Sequence, residues 1–419
     1  MTDTLELTAR SEAGRRLRDA AAAMVPLLRG EAAEIERQGA MTPAVLRGLT
    51  DAGIFKMAMP PELGGYALGA RDVVEIVSTL GRGDGSAAWM AFVGSGLRMV
   101  SMFPQPLVDE VFAQRDTWIG PLCIGASVFS TSVGTARRAG GGTGGGWLVS
   151  GRWAFGSGCR HTAWAAVGVE FERGGRPGRG MALLPREDFE ILDDWKVMGL
   201  SGTSSNGITT SGEVFVPDHR LVDMAELGQI MDEAPNRYSG LAFRAGMRGA
   251  MLTVCLYNVS IALGMAVGVL ECFAEQARKR KPFNLPYATV AEMPSVQVVA
   301  GKARAMINNA GTLMRAHADE IDRRSLAGED FSAPEESEMT MDLVYATKLC
   351  EDAVNSLQVT IGSSTAALSN PIQRFVRDMR VLASHGAIRM DPLAEINGRQ
   401  ALGLPPFSMF AGGLANVAG

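Results

Sequence analysis

The side chains of this 419-residue chain that can exchange a proton near neutrality are few, and they begin with four histidines, His161, His219, His317 and His385. An imidazole with an ordinary pKa near ~6.5 can take a proton from a phenol or an amine, which activates a nucleophile but does not break an unactivated C–H bond. His219, in FVPDHR, ends a strand-rich stretch, and His317 lies on a charged helix face, so both read as solvated or structural. His385 reads either as a base or as a ring held by a backbone carbonyl at a helix end. His161 follows Ser157 by four residues in SGCRHTAW, an offset that shares one face only along an unbroken strand. The five cysteines, Cys123, Cys159, Cys255, Cys272 and Cys350, are odd in number, widely spaced and without a CxxC, which predicts neither a disulfide framework nor a metal site. Cys159 reads as a small buried apolar side chain. The run RKRKPF, holding Arg280, is either a solvated helix end or a planar guanidinium fork for a phosphate. Walker A, HExxH and GxSxG patterns are absent. The glycine run 140–146 satisfies GxGxxG formally, but the strand-like Trp147-Leu148-Val149 follows it, so it reads as a hairpin turn.

The elements that must position these residues follow the order helices, sheet, helices. Residues 11 to about 115 are helical in pattern, with Thr42 as an N-cap, Pro43 at the first helical position and Gly53 closing that helix. From about Trp118 to Val222, short alternating runs such as WLVSGRWAF and AWAAVGVEF are separated by glycine-rich turns, the texture of a β-domain. Beyond Asn236 the helical period returns. The expected domains are 1–117, helical; 118–235, a central β-domain; and 236–419, a helical bundle. The fold class is α+β and mostly α. A length above roughly 250 to 300 residues agrees with more than one domain. The uncharged stretch Ala250 to Leu270 is long enough to cross a bilayer, but Thr253, Asn258 and Ser260 interrupt it, and a central bundle helix is the expected reading. A net charge of -5 without a long basic run argues against nucleic acid. The opening MTDTLELTARSE lacks the order of a secretory signal, so a cytoplasmic location is expected.

Four local motifs, in order along the chain, resemble those of the acyl-CoA dehydrogenase superfamily. Met59 to Gly65 resembles its P-x-x-x-G-G turn; Gly151 to Gly158, its flavin-facing strand; Trp195 to Ser205, its G-x-R-x-S/G-T segment; and Pro371 to Asp378, its P-x-x-R-x-x-R-D helix start. The wording SGRWAFGSGCRHTAW and WKVMGLSGTSSN is similar to one branch, the two-component flavin monooxygenases that include phenol hydroxylases. The dehydrogenases place a glutamate shortly after the Arg-Asp pair, where this chain has His385, or at a second position, where it has Val254.

The resemblance implies an N-terminal helical domain, a central β-domain and a C-terminal four-helix bundle in a homo-oligomer, a tetramer. It implies reduced FMN or FADH2 delivered by a separate flavin reductase, O2 as co-substrate through a flavin C4a-hydroperoxide, and hydroxylation of a small aromatic or amine-bearing molecule. In that frame His385 is the base. Ser157 is a hydroxyl that donates to the flavin near N5, with a serine bonded to its own turn as the alternative. Phe155, Thr203, Ser204, Arg280, Phe283, Gln358, Gly362 and Ser363 bind cofactor, and Trp89 and His161 contact substrate. Gln358, Gly362 and Ser363 match the family's Q-x-x-G-G with Ile361 in place of the first glycine, a departure at the adenine end that keeps FMN open. The segment Ala126 to Ser130 lacks the family's proline. The rival readings are an acyl-CoA dehydrogenase-type enzyme with a displaced base and a non-catalytic oligomeric relative.

Overall fold

The computed structural model of the chain describes residues 11–128, 134–140 and 145–405. The N-terminal helices are α1 (Glu12–Gln38), α2 (Pro43–Asp51), α3 (Ala70–Gly81), α4 (Gly85–Gly94), α5 (Leu97–Ser101) and α6 (Gln105–Phe112). Thr42 caps α2 by accepting the Val45 N–H at 3.4 Å, Pro43 follows it, and Gly53 past the helix end takes a left-handed φ of 81°.

Ten strands come next: β1 (Cys123–Ala126), β2 (Gly134–Arg138), β3 (Gly146–Ser150), β4 (Arg152–Trp153), β5 (Trp164–Arg173), β6 (Arg176–Pro185), β7 (Glu190–Ile191), β8 (Ile208–Thr209), β9 (Val214–Pro217) and β10 (Leu221–Asp223). The larger sheet runs β10-β6-β5-β2-β3-β9, with β1 also on β5; β1 and β2 lie parallel to β5 and the other pairs are antiparallel. Alternation along β5 divides its side chains between two cores. Ala165, Val167, Val169 and Phe171 enter the main one, while Trp164 and Ala166 enter a second with Phe103, Phe112 and Leu183. β2 and β3 pair as a hairpin up to Arg138 opposite Trp147. The apex of the glycine run, 141–144, and Phe129 and Ser130 lie outside the described residues.

The helical period returns earlier than the expected β-domain boundary, because α7 (Leu227–Arg237) precedes α8 (Met247–Lys279), α9 (Pro294–Ala327), α10 (Ala333–Ile361), α11 (Pro371–Ala383) and α12 (Met390–Ala401). α8 contains the uncharged stretch and packs against α3, α4, α9, α10 and α11, so its apolar length is buried in a helical bundle. Its crossing with α3 is made of glycine. A Cβ on Gly264 would lie 2.3 Å from the Ser78 carbonyl oxygen and 2.7 Å from the Gly81 Cα, and one on Gly81 would lie 3.0 Å from the Ile261 carbonyl oxygen. Gly264→Ala should therefore destabilise the protein by about 1–3 kcal/mol, the usual cost of overpacking. Gly301→Ala on exposed α9, where an added Cβ meets nothing within 4 Å, should be neutral or stabilise by up to ~1 kcal/mol. Urea unfolding of the pair checks the contrast, and equal midpoints would contradict it.

Candidate active site

Two turns meet beside the smaller sheet β4-β8-β7, in which Trp153 pairs with Ile208. Trp153 is fully buried and donates its indole N–H to the Gly168 carbonyl at 2.7 Å, which fixes the end of β4. Past it the chain does not continue as a strand. Phe155 takes a left-handed φ of 57°, Gly156 donates to the Asn206 carbonyl at 3.0 Å, and Gly158 donates to the Thr203 carbonyl at 2.8 Å. Ser157 thus sits on a turn, correcting the expectation of a strand position. In the facing turn Leu200 and Ser204 also have left-handed φ, 52° and 42°. Strained non-glycine backbone of this kind persists where surrounding bonds over-determine it, and it clusters at functional sites.

Hydroxyls link the two turns. The Ser157 Oγ lies 2.7 Å from the Ser205 Oγ, which lies 2.7 Å from the Thr203 Oγ1, and Thr203 donates to the Leu200 carbonyl at 2.8 Å. The Ser204 Oγ and Asn206 Oδ1 are buried and have no partner among the described residues. Phe155 is 68% exposed and meets Trp195 edge-on at 6.3 Å. Cys159 is buried, donates to the Ser204 carbonyl, and burial pushes its thiol up to about 11, so it is an inert packing residue.

Helix α11 holds this turn from behind. The Leu200 N–H donates to the Asp378 carboxylate at 2.6 Å, and Arg377 donates to the Met198 carbonyl at 2.5 Å while pairing with Glu36 at 2.6 Å. Gly199 between them lies so close that a Cβ there would be 2.4 Å from the Arg377 carbonyl oxygen. Just past the end of α11, the His385 ring meets Trp89 edge-on at 5.1 Å, and its Nδ1 accepts the Ala387 N–H at 3.4 Å. Burial pushes the His385 pKa below its ordinary value, which keeps the ring neutral at neutral pH. From Trp89 the ring contacts continue to Phe92 at 5.0 Å and then to Tyr257 at 6.3 Å. Tyr257 lines a small, mostly apolar chamber with Leu68, Val73, Val254, Arg98 and Asp322.

The expected site residues fall into two groups. Ser157, Thr203, Ser204 and Phe155 are brought together at the paired turns, and Trp89 is brought to His385. Arg280, Gln358, Gly362 and Ser363 meet elsewhere, at the ends of α8 and α10. There Arg280 donates to the Ile361 carbonyl at 3.2 Å and to Ser364, and the Gly362 N–H bonds the Gln358 carbonyl at 3.3 Å. Phe283 beside them is 89% exposed. His161, expected to contact substrate, lies instead among protein partners, away from Ser157's turn contacts. Its Nε2 accepts the Met41 N–H at 3.1 Å, its carbonyl accepts the Trp118 indole N–H at 2.9 Å, and burial lowers its pKa to about 4, so it ties the helical and β-domains together. His219 pairs with Glu110 and His317 with Asp342, each at 3.1 Å, in structural roles. A cleft of about 530 Å³ between Glu110, Trp118, Trp164 and Arg220 is wider than the Tyr257 chamber and contains none of the expected site residues. Ser205 and Phe92 went unread in the sequence, although the adjacent hydroxyls of Thr203, Ser204 and Ser205 are a visible signal for the first.

Residues 11–125 match the model of the acyl-CoA dehydrogenase N-terminal domain, and residues 256–390 match that of the acyl-CoA dehydrogenase C-terminal domain. The chain is 30% identical over 399 residues to a pigment production hydroxylase of Rhodococcus sp., covering 93% of this chain and 97% of that one. It is 27% identical to the flavin-dependent monooxygenase oxygenase subunit HsaA of Rhodococcus jostii, covering 91% and 97% of the two chains. Among solved structures it is similar to XiaF from Streptomyces sp. in complex with FADH2 and glycerol, with a TM-score of 0.84, 25% identity and coverage of 95% and 97%.

Asp378 is buried beside Asp84, and burial followed by repulsion from Asp84 pushes its carboxyl up to about 7, against the Leu200 bond, Arg374 and Arg377. Asp84 is raised as well, chiefly by burial, with Glu36 adding to it. A carboxyl whose folded pKa is raised contributes stability below its unfolded pKa and loses it as pH rises through the folded value. The wild-type Tm should therefore fall as pH rises from about 4, the ordinary carboxyl value, to about 7, the folded value, and level off above it. Asp378→Asn, which keeps an oxygen for the Leu200 N–H, should flatten that fall by roughly 2 °C or more, the shift that about 1 kcal/mol makes at this chain length. Parallel Tm profiles for the two proteins would show that Asp378 does not titrate there.

Proposed function

The chain belongs to the acyl-CoA dehydrogenase family, and we propose that within it the protein is the oxygenase component of a two-component flavin-dependent monooxygenase. In this reading it uses reduced flavin, FMN or FADH2, and O2 to hydroxylate a small aromatic or amine-bearing substrate. The observation that carries the reading is the neutral, half-buried His385 packed edge-on against Trp89, at the position where a dehydrogenase of this family would need a carboxylate. Val254, at the second such position, is apolar and lines the Tyr257 chamber. Relatives named as a resorcinol hydroxylase and a p-hydroxyphenylacetate 3-hydroxylase, both oxygenase components, support the same class of chemistry.

The residues fit a flavin. Exposed Phe155 with Trp195 offers an aromatic surface, the Ser204 Oγ and Asn206 Oδ1 supply buried polar atoms whose bonds the protein does not complete, and Arg280 suits a phosphate. When bound, reduced flavin supplies the activation of O2 and the delivery of one oxygen atom. The chain's own residues supply the rest. His385, neutral because it is buried, takes the proton of a substrate O–H or N–H. Its Nδ1 contact, at 3.4 Å, is weak enough that either ring nitrogen can hold the lone pair, at a cost on the order of 1 kcal/mol. Trp89 holds the ring edge, and its indole N–H, buried and without a partner among the described residues, is available to a substrate oxygen. The aromatic run from Trp89 to Tyr257 excludes water beside it.

A separate flavin reductase supplies the cofactor in this reading, and the protein works as a homo-oligomer, a tetramer. Exposed Phe283, Val359 and Leu368, on segments near the end of α8 and the end of α10, are the apolar surface that assembly would cover.

Anaerobic titration with reduced FMN and FADH2 should give saturable binding, and sedimentation should give four copies per particle. His385→Ala should lower product formation by about 10²- to 10⁴-fold while O2 consumption and peroxide release continue. With the wild type, the acid limb of product formation should fall below the ordinary imidazole value near ~6.5, and the variant should lose it. Unchanged product yield in His385→Ala would remove this residue from the chemistry.

A further inference from the structure

A guanidinium taken out of water needs a carboxylate or a full set of acceptors, and Arg98 on α5 has neither. Its Nε donates to the Ala242 carbonyl at 2.8 Å, and its Cζ lies over the buried Phe243 ring, 5.7 Å from the centroid. These two contacts hold the group from one side. The four hydrogens on Nη1 and Nη2 have no acceptor, and no carboxylate pairs with the group, among the described residues. Arg71, at the start of α3, is the contrast, since Glu75 at 3.1 Å and Asp319 at 2.6 Å complete it. Burial lowers the Arg98 pKa to about 10, still far above neutrality, so the cation persists.

Arg98 lines the Tyr257 chamber, and the other polar groups there do not neutralise it. Asp322 is the one carboxylate on the wall, but its oxygens accept the Ala70 N–H at 2.6 Å and the Arg71 N–H at 2.9 Å, which commits its charge to the N-terminus of α3. Tyr257 stays a phenol, because burial pushes its pKa up, and its O–H has no partner among the described residues. One fixed cation and one O–H donor thus face a space that the chain leaves without an anion. That space is about 40 Å³. A cavity that holds a benzene ring is ~150 Å³ and a single water needs about 10–15 Å³, so the chamber accepts a small head group and not a ring.

We propose that Arg98 is a specificity-determining residue that holds the carboxylate of an aromatic acid, whose ring lies along the Trp89–Phe92–Tyr257 edge with its hydroxyl or amine toward His385. The proposal rests on the monooxygenase reading above and narrows its substrate to an acid. A carboxylate is planar and has two acceptor oxygens, which match the paired Nη hydrogens of a guanidinium and leave a lone pair for the Tyr257 O–H. Binding supplies the missing counterion, so an acid gains a charge-assisted bond that a neutral molecule of the same shape does not. The ring contacts from His385 through Trp89 and Phe92 to Tyr257 form one wall between the proton acceptor and the anion site. Arg98 acts at the end away from the chemistry, so it governs which molecule binds and not how fast the bound one reacts.

The test is equilibrium binding, by calorimetry and without flavin, of 4-hydroxyphenyl alkanoic acids with one to three methylenes and of their carboxamides. The proteins are the wild type, Arg98→Met, Arg98→Lys and Tyr257→Phe, with circular dichroism to report folding. At least one acid should bind the wild type roughly 10- to 100-fold more tightly than its carboxamide, the range for a hydrogen bond to a charged group. Arg98→Met should bring that ratio close to unity, and Arg98→Lys should keep part of it. Tyr257→Phe should weaken acid binding by about 3- to 10-fold. In turnover with reduced FMN and O2, Arg98→Met should raise KM for the acid and leave kcat nearly unchanged. A merely structural arginine would weaken acid and carboxamide together, so an unchanged ratio in Arg98→Met overturns the proposal. A wild type that binds the carboxamides as tightly as the acids, or binds none of the acids, overturns it without any variant. If reduced FMN still binds in that case, the monooxygenase reading stands and the proposal alone falls. Acid preference without binding of reduced FMN overturns the reading, and the substrate role of the acid with it.

Discussion

The buried bond from the Leu200 N–H to the Asp378 carboxylate is the constraint on which the rest of the site depends. A carboxylate in a dry interior is costly unless it is hydrogen-bonded, and here repulsion from Asp84 adds to the cost. The bond stands where three elements meet, the turn at Leu200, helix α11 and the start of α4. It fixes the turn that carries Thr203 and Ser205, it sits on the helix that leads to His385, and it neighbours the start of α4, which carries Trp89. An Asp378 oxygen would lie 3.3 Å from a Cβ on Gly85, the first residue of that helix. The hydroxyl chain and the imidazole are thus referred to one anchor.

Around this anchor the β-domain and the helices are joined by polar groups that each have one assignment. His161 bonds Met41 across the boundary, and Arg377 of α11 bonds Met198 and Glu36. Truncating one partner of such a pair leaves the other buried and unmatched, which usually costs more than the bond itself contributes. The left-handed backbone at Leu200 is held by the Asp378 bond to its N–H, and Phe155 and Ser204 share the left-handed conformation in the facing turns. Replacing these positions by glycine would relax the backbone but remove the side chains that the turns exist to present.

The order helices, sheet, helices was legible because periodicity records which face of each element is buried, and the start of α11 was legible because Pro371 to Asp378 resembles the family's helix start; the structure adds Asn370 as its N-cap. Trp89 and His385 were legible as separate motifs, though nothing local in either shows that their rings meet. Ser157 was legible as a residue but not in its bond to Ser205 of the facing turn. The surroundings of His161 were not legible because an even offset from Ser157 presumes a strand, whereas the chain leaves β4 at Trp153 and folds into consecutive turns. Boundaries were the least legible. The helix α7 carries polar residues on most faces and holds one buried side chain, Ala234, so its sequence has little of the apolar stripe that marks a packed helix.

The glycine crossing of α3 and α8 has a consequence in time. Its contacts, with those of Asp322 to the Ala70 and Arg71 N–H groups 252 and 251 residues earlier, join the first third of the chain to segments beyond its midpoint. At a synthesis rate of roughly 5–20 residues per second, the apolar face of α3 waits on the order of ten to fifty seconds for its partners to leave the ribosome. During that interval Val73, Ile76, Val77 and Leu80, all essentially sealed in the finished fold, have nothing from α8 or α9 to cover them. Non-local contacts of this kind slow folding because the loop must close before they form. The nascent chain is therefore a natural client for a chaperone that shelters an early helical segment until the bundle is complete.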